Sequence, residues 1–121
     1  MKKVPISIII DDSAPVVSVY YHHHNPKTTD DGRPLLDKYP NAFLDTFCDI
    51  VERYGIKGKF SIVPMPGNQG DIVNGLRNID QALVEQWLNT VKNRLIPNFT
   101  VGPEILSHHK AVDLATGTHW R

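Results

Sequence analysis

The sequence lacks a second cysteine, an excess of either charge and any long apolar run, and each absence excludes a class of protein. Cys48 is the single cysteine, so no disulfide can form within the chain. Thirteen Lys and Arg residues balance thirteen Asp and Glu residues, which argues against nucleic acid or an anionic membrane as a partner. No apolar run approaches the roughly 20 residues that a membrane-spanning helix needs.

The remaining composition is that of a small globular domain. The 121 residues suit one domain, and 40% of them are hydrophobic, which is enough for a core. The start of the chain has two lysines and then apolar residues, like a signal peptide. That run is too short, however, and Asp11-Asp12 ends it where a small-residue cleavage site is needed. We therefore expect a cytoplasmic location for the chain as given, or an extracytoplasmic one if an upstream signal was removed.

Three apolar runs have the character of strands. Residues 5–10 are rich in β-branched side chains and hardly alternate, which predicts a strand covered on both faces and ended by Asp11-Asp12. Further strands are predicted over 59–63 and 98–101.

Two segments between these strands have helical periodicity. The first begins at Pro40 and Asn41 and ends before Gly55, and Cys48 is predicted to be a buried core thiol in it. The second runs from about 80 to 95, with Asn78 and Gln81 as a capping box. The predicted apolar faces are Phe43, Phe47, Ile50, Val51 and Tyr54 on the first helix, and Leu83, Trp87, Val91 and Leu95 on the second.

The alternation of strands and helices predicts an α/β fold with parallel strands and crossover helices. In such folds the chemistry collects at the carboxyl ends of the strands. Three segments are therefore comparable as sites: 11–12, 64–70 and 104–109.

Adjacent carboxylates and imidazoles occupy two of these segments. Taken alone, Asp11-Asp12 is as compatible with a solvated turn or a helix cap as with a functional site. His108-His109, taken alone, is more typical of a surface loop than of a metal site. Together, at strand ends, one carboxylate and imidazoles suit a divalent metal such as zinc. Such an ion would activate water and polarise a carbonyl group.

A second histidine cluster lies in the long segment between the first strand and the first helix. His22, His23 and His24 could supply metal ligands, line a substrate cleft or form a solvated turn. Tyr21 precedes them, and an aromatic ring beside a polar cleft suits sugar stacking, although simple packing is more common. We treat Tyr21 and the three histidines as candidate substrate-binding residues.

Three short segments resemble motifs of the polysaccharide deacetylases, the NodB-homology group. Ile9 to Pro15 is similar to their first motif, T-F-D-D-G-P. Lys57 to Val63 resembles their second strand, K-A-T-F-F-V, and Glu104 to His108 resembles the run E-I-G-N-H. Order and rough spacing agree along nearly the whole chain.

The resemblance implies a metal-dependent hydrolase that removes acetyl groups from a polysaccharide or glycoside. Asp11 would be the general base, and Asp12 and His108 would be ligands of a divalent metal, most often zinc. It also implies that residues 1–121 are one domain, the N-terminal part of a (β/α) barrel of about two hundred residues or more. The missing half, or a second copy in a homo-oligomer, would then complete the barrel.

The sequence departs from the family at the second motif histidine, where it has Val112. His109, or less directly Asp113, could replace that ligand. The departure keeps open a second interpretation, a diverged carbohydrate-binding or structural module without catalysis. A third is a magnesium-dependent phosphoesterase that uses Asp11-Asp12, although the chain has neither a glycine-rich phosphate loop nor a basic cluster.

Overall fold

The computed structural model describes residues 5–18, 36–77, 79–107, 111–112, 115–116 and 119–120. Along the chain, the elements are β1 (Ile8–Ser13), α1 (Asn41–Tyr54), β2 (Gly58–Ile62), a 3-10 turn (Pro66–Asn68), β3 (Gly70–Asp71), β4 (Gly75–Leu76), α2 (Gln81–Thr90), a π-helical turn (Val91–Leu95), β5 (Phe99–Pro103), β6 (Ala111–Val112) and β7 (His119–Trp120). The predicted order of strands and helices is confirmed.

The central sheet has three parallel strands in the order β1-β2-β5. The short pairs β3-β4 and β6-β7 are antiparallel. The α/β class is thus confirmed, and the described strands form an open sheet, so the closed barrel stays a proposal. Within the described ranges, no helix combines the length and apolar character required to cross a bilayer.

Both helices pack on the same face of the sheet. The largest buried cluster joins the sheet to the helices and consists of Leu44, Cys48, Val51, Phe60, Ile62, Trp87, Val91, Leu95 and Phe99. On the opposite face Ile9 is 64% exposed, and Lys59 and Thr100 are exposed beside it. The prediction that the first strand is covered on both faces is therefore wrong for Ile9, because neither described helix lies on that side.

The buried stripe of helix α1 agrees only in part with the predicted one, since Val51 is buried as predicted and Phe47 packs partly buried against the core. Leu44, Cys48 and Val51 are buried, whereas Phe43 and Tyr54 are each 69% exposed. Apolar residues are so frequent in this helix that two overlapping faces satisfy a 3.6-residue period. Packing against the sheet selects the stripe that contains Cys48, whose predicted burial is confirmed. Gly55 ends the helix in the left-handed conformation, as predicted.

The N-cap of helix α2 lies two residues later than predicted. The N-cap is Asp80, whose side chain accepts a hydrogen bond from the backbone N–H of Ala82 at 3.0 Å. The capping box of Asn78 and Gln81 is therefore wrong, and Asn78 itself lies outside the described residues. Of the predicted stripe, Leu83 is 39% exposed and the other members are buried.

The π-helical turn after α2 is joined to α1 by an arginine. Arg94 donates from Nε to Glu52 Oε1 at 2.9 Å, and its guanidinium also contacts Asp45 and Asp49. These hydrogen bonds raise the pKa of Arg94 and lower that of Glu52. These charged side chains are open to solvent, so we expect their ion pairs to align the two helices and to contribute little to the free energy of folding.

Gly58 allows the close approach of β1, and this generates a prediction about stability. A Cβ at Gly58 would lie 1.9 Å from the carbonyl oxygen of Ile8 and 2.7 Å from the Phe99 ring. We expect Gly58→Ala to lower the free energy of unfolding by about 1–3 kcal/mol or more, measured by urea denaturation. Gly102→Ala is the matched control, because a Cβ there meets nothing within 4 Å. Equal losses in the two variants would contradict the β1-β2 register.

The burial of Cys48 leads to a second prediction, which concerns the reactivity of its thiol. Desolvation raises its pKa to about 11, against the partly compensating charge of Arg94. At neutral pH the thiolate is therefore scarce and inaccessible, so we expect a thiol reagent to modify Cys48 only after unfolding. Mass spectrometry with and without denaturant measures this. Rapid modification of the native protein would refute the packing of α1 against the sheet.

Candidate functional site

The end of β1 contains a β-bulge made by the two adjacent carboxylates. Ile10 pairs with Phe60 and Ser13 pairs with Ile62, so that Asp11 and Asp12 together oppose the single residue between the two partners. Sequence patterns predicted that this acidic pair follows the strand. The structure instead places it inside the strand, because the bulge lets pairing resume at Ser13.

The bulge forces Asp12 into an uncommon backbone conformation. Its φ is 61°, in the left-handed region that residues with a Cβ seldom adopt, although Asp and Asn tolerate it better than most. Asp11 does not share this conformation. Both side chains are exposed, so the bulge presents two carboxylates to solvent at the carboxyl edge of the sheet.

The bulge is closed by a hydrogen bond to the residue that follows the third strand of the sheet. The backbone N–H of Asp12 donates to Glu104 Oε2 at 2.6 Å, a charge-assisted bond between residues 92 positions apart. Glu104 follows β5 directly, and its own N–H donates to the carbonyl of Ile62 at 3.0 Å. Glu104 therefore lies with Asp11 and Asp12 at the carboxyl end of the sheet, a region that we call the acidic edge.

The segment after Glu104 continues across the end of β2. The N–H of Met65 donates to the carbonyl of Leu106 at 2.9 Å, which ties this segment to the loop that leaves β2. Glu104 begins the predicted site segment 104–109, which the strand-end rule singled out together with 11–12. Sequence patterns assigned its carboxylate no role of its own, and the bond to Asp12 is seen only in the structure.

A buried hydroxyl lies opposite the bulge. Ser61 is the residue of β2 that faces Asp11 and Asp12 in the register, and it is completely buried. Its Oγ has no hydrogen-bond partner in the described part of the chain. Buried polar groups are usually paired, so this serine is a feature that the packing alone does not explain.

The other seven predicted site residues all lie outside the described ranges. These are Tyr21, His22, His23, His24, His108, His109 and Asp113. Within those ranges, no three Asp, Glu, His or Cys side chains are grouped as ligands of one ion. The structure thus brings together the two predicted aspartates and adds Glu104, and it leaves the histidine predictions untested.

An aromatic pocket opens beside the acidic edge, on the helix-covered side of the sheet. Its volume is about 400 Å³. The described lining residues, which define the pocket here, are Ile10, Asp11, Asp12, Ser13, Ala14, Tyr39, Phe43, Leu44, Phe47, Phe60 and Trp87. Sequence patterns did not find this pocket, because they assigned Phe43 and Phe47 to the packed face of α1.

Comparison with known proteins gives no family. Neither protein-family models nor curated proteins nor solved structures match the chain. The functional argument therefore depends on the geometry of the acidic edge and of the aromatic pocket.

The conformation of Asp12 generates a prediction that separates the bulge from an ordinary strand end. Asp12→Ala and Asp12→Gly both remove the carboxylate, but only glycine adopts φ near 61° without strain. We expect Asp12→Gly to be more stable than Asp12→Ala by about 1 kcal/mol in urea denaturation.

Asp11 provides the internal control for this comparison. Its backbone lies outside the left-handed region, so alanine should be more stable than glycine there, by roughly 0.5–1 kcal/mol. The same order of alanine and glycine at both positions would show that the bulge is absent in solution.

Proposed function

We propose that this protein is a metal-dependent carbohydrate deacetylase-like hydrolase whose site is at the acidic edge. The observation that carries the proposal is the 2.6 Å hydrogen bond between the Asp12 N–H and the Glu104 carboxylate. It brings the end of β1 and the segment that leads from β5 to His108 to the same edge of the sheet. The sequence places the acidic pair in the one segment and the imidazole pair just beyond the other.

The proposal gives the two aspartates different tasks. Asp11 is exposed and lies in ordinary backbone conformation, so its carboxylate can accept a proton from water at the edge. Asp12 is assigned as a metal ligand, and the bond to Glu104 positions the backbone from which its side chain projects. A carboxylate oxygen is a donor that zinc accepts together with imidazole nitrogen.

The remaining ligands are assigned from the sequence. His108 and His109, and less directly Asp113, would complete the ligand set around zinc. A bound zinc ion would supply Lewis acidity toward the carbonyl oxygen of an N- or O-acetyl group. Tyr21, His22, His23 and His24 are proposed to contact the carbohydrate, and completion of a (β/α) barrel remains part of the proposal.

One observation favours the alternative of a diverged carbohydrate-binding or structural module. Val112 occupies the position of the second motif histidine, and a valine side chain cannot bind a metal. In the main-chain register of β6 and β7, the residue directly across from Val112 is His119. His119→Ala tests this position by the same zinc titration, because loss of zinc in that variant would identify His119 as a replacement ligand.

Zinc binding to purified, metal-free protein tests the proposal. We expect one zinc per chain by isothermal titration calorimetry. Asp12→Ala and His108→Ala should each weaken binding by about tenfold or more, because each removes one of few ligands. Asp11→Asn should retain zinc but abolish acetate release from an acetylated oligosaccharide.

Glu85→Ala is the control for a general loss of negative charge, since Glu85 is an exposed carboxylate on α2, outside the acidic edge. It should bind zinc like the unaltered protein. If the protein binds the oligosaccharide but does not bind zinc stoichiometrically, the hydrolase proposal is wrong and the non-catalytic module is supported. Normal acetate release by Asp11→Asn would show that the assigned base is wrong.

A further inference from the structure

We propose that the aromatic pocket is a binding site for a small organic cation, a ligand with one apolar ring or branched group and an ammonium head. The proposal concerns the helix-covered side of the sheet and does not depend on a metal at the acidic edge. It follows from the floor, the mouth, the charge and the size of the pocket, each of which selects one property of the ligand.

The floor of the pocket is rigid and apolar. Phe60 and Trp87 are each 4% exposed, and their ring centroids are 6.0 Å apart at a tilt of 40°. Both belong to the main buried cluster, so the floor is fixed by the packing of α2 on the sheet. A preformed apolar floor favours an apolar group that replaces water there.

The mouth of the pocket is a stacked pair of aromatic rings that faces solvent. The rings of Tyr39 and Phe43 have centroids 6.2 Å apart and an interplanar angle of 28°. Tyr39 is 47% exposed and Phe43 is 69% exposed. Ring faces attract cations through their quadrupole, and an exposed aromatic pair beside a cavity is typical of a ligand site.

The charge of the lining selects a cation. Asp11 and Asp12 are the charged members of the described lining, and no Lys, Arg or His is present among those residues. Asp11 is exposed at the edge where the pocket opens, so a cation can reach its carboxylate directly from solvent. An anionic ligand would be repelled there, and a neutral one would lack the ionic attraction to the carboxylate.

The size of the pocket selects a small molecule rather than a protein segment. About 400 Å³ lies at the low end of cavities that hold small organic ligands. That space accepts a single ring with its head group. The head group would then lie between the exposed ring faces and Asp11, and the ring would lie on Phe60 and Trp87.

Three probes of equal size and different charge test the proposal. We would titrate benzylammonium, benzyl alcohol and benzoate into metal-free protein and follow backbone amide shifts by NMR. We expect benzylammonium to bind about tenfold more tightly than benzyl alcohol, and benzoate to bind more weakly still. The amides that shift should include those of Phe43 and Trp87.

Two pairs of variants locate the binding. Phe43→Ala should weaken benzylammonium binding severalfold, whereas Tyr54→Ala should not, although both residues are on α1 and each is 69% exposed. Asp11→Asn should remove the preference for benzylammonium over benzyl alcohol while benzyl alcohol still binds. Glu85→Gln, an exposed carboxylate on α2 outside the pocket, should keep that preference.

Several results would overturn the proposal. These are the absence of saturable binding for all three probes, benzoate binding as tightly as benzylammonium, and equal effects of Phe43→Ala and Tyr54→Ala. Every measurement uses metal-free protein, so failure here leaves the zinc result unaffected, and failure to bind zinc leaves this result unaffected.

Discussion

The hydrogen bond from the Asp12 N–H to Glu104 is the constraint on which the acidic edge depends. A bulge leaves one backbone donor of its strand without a partner in the ladder. Here that donor is taken by the carboxylate of Glu104, the residue that follows β5, at 2.6 Å. This one bond satisfies the N–H of Asp12 and holds Glu104 beside the acidic pair. It also connects β1 to the residue after β5 across the end of β2.

The arrangement of the sheet explains why this edge is accessible. The two described helices cover one face, and the core lies between them and the strands. The other face shows Ile9, Lys59 and Thr100 to solvent. The helices thus cover one face, and the other face is exposed at these three residues, although Ser61 on that face is buried. Asp11, Asp12 and Glu104 at the carboxyl ends of the strands are exposed to water.

The end of β1 serves two surfaces with different chemistry. Toward the edge it presents the carboxylates of Asp11 and Asp12 together with Glu104. Toward the helices it contributes Ile10 and Ala14 to the aromatic pocket. A ligand in the pocket and an ion at the edge would share the same two aspartates, so their charges would compete. The two proposals are physically linked through Asp11 and Asp12, although each is tested by itself.

Local patterns in the sequence determined the order of strands and helices, the stop of α1 at Gly55, the burial of Cys48 and the position of the acidic pair near the carboxyl end of the first strand. Each of these depends on residues within one or two turns or one strand. Only the tertiary structure decided which stripe of α1 is buried, that Asp11 and Asp12 form a bulge, and that Glu104 joins them. The stripe is chosen by the sheet, and the bulge is defined by a register with β2. The partner of Asp12 is 92 residues away in sequence, a distance over which periodicity and propensity contain no information.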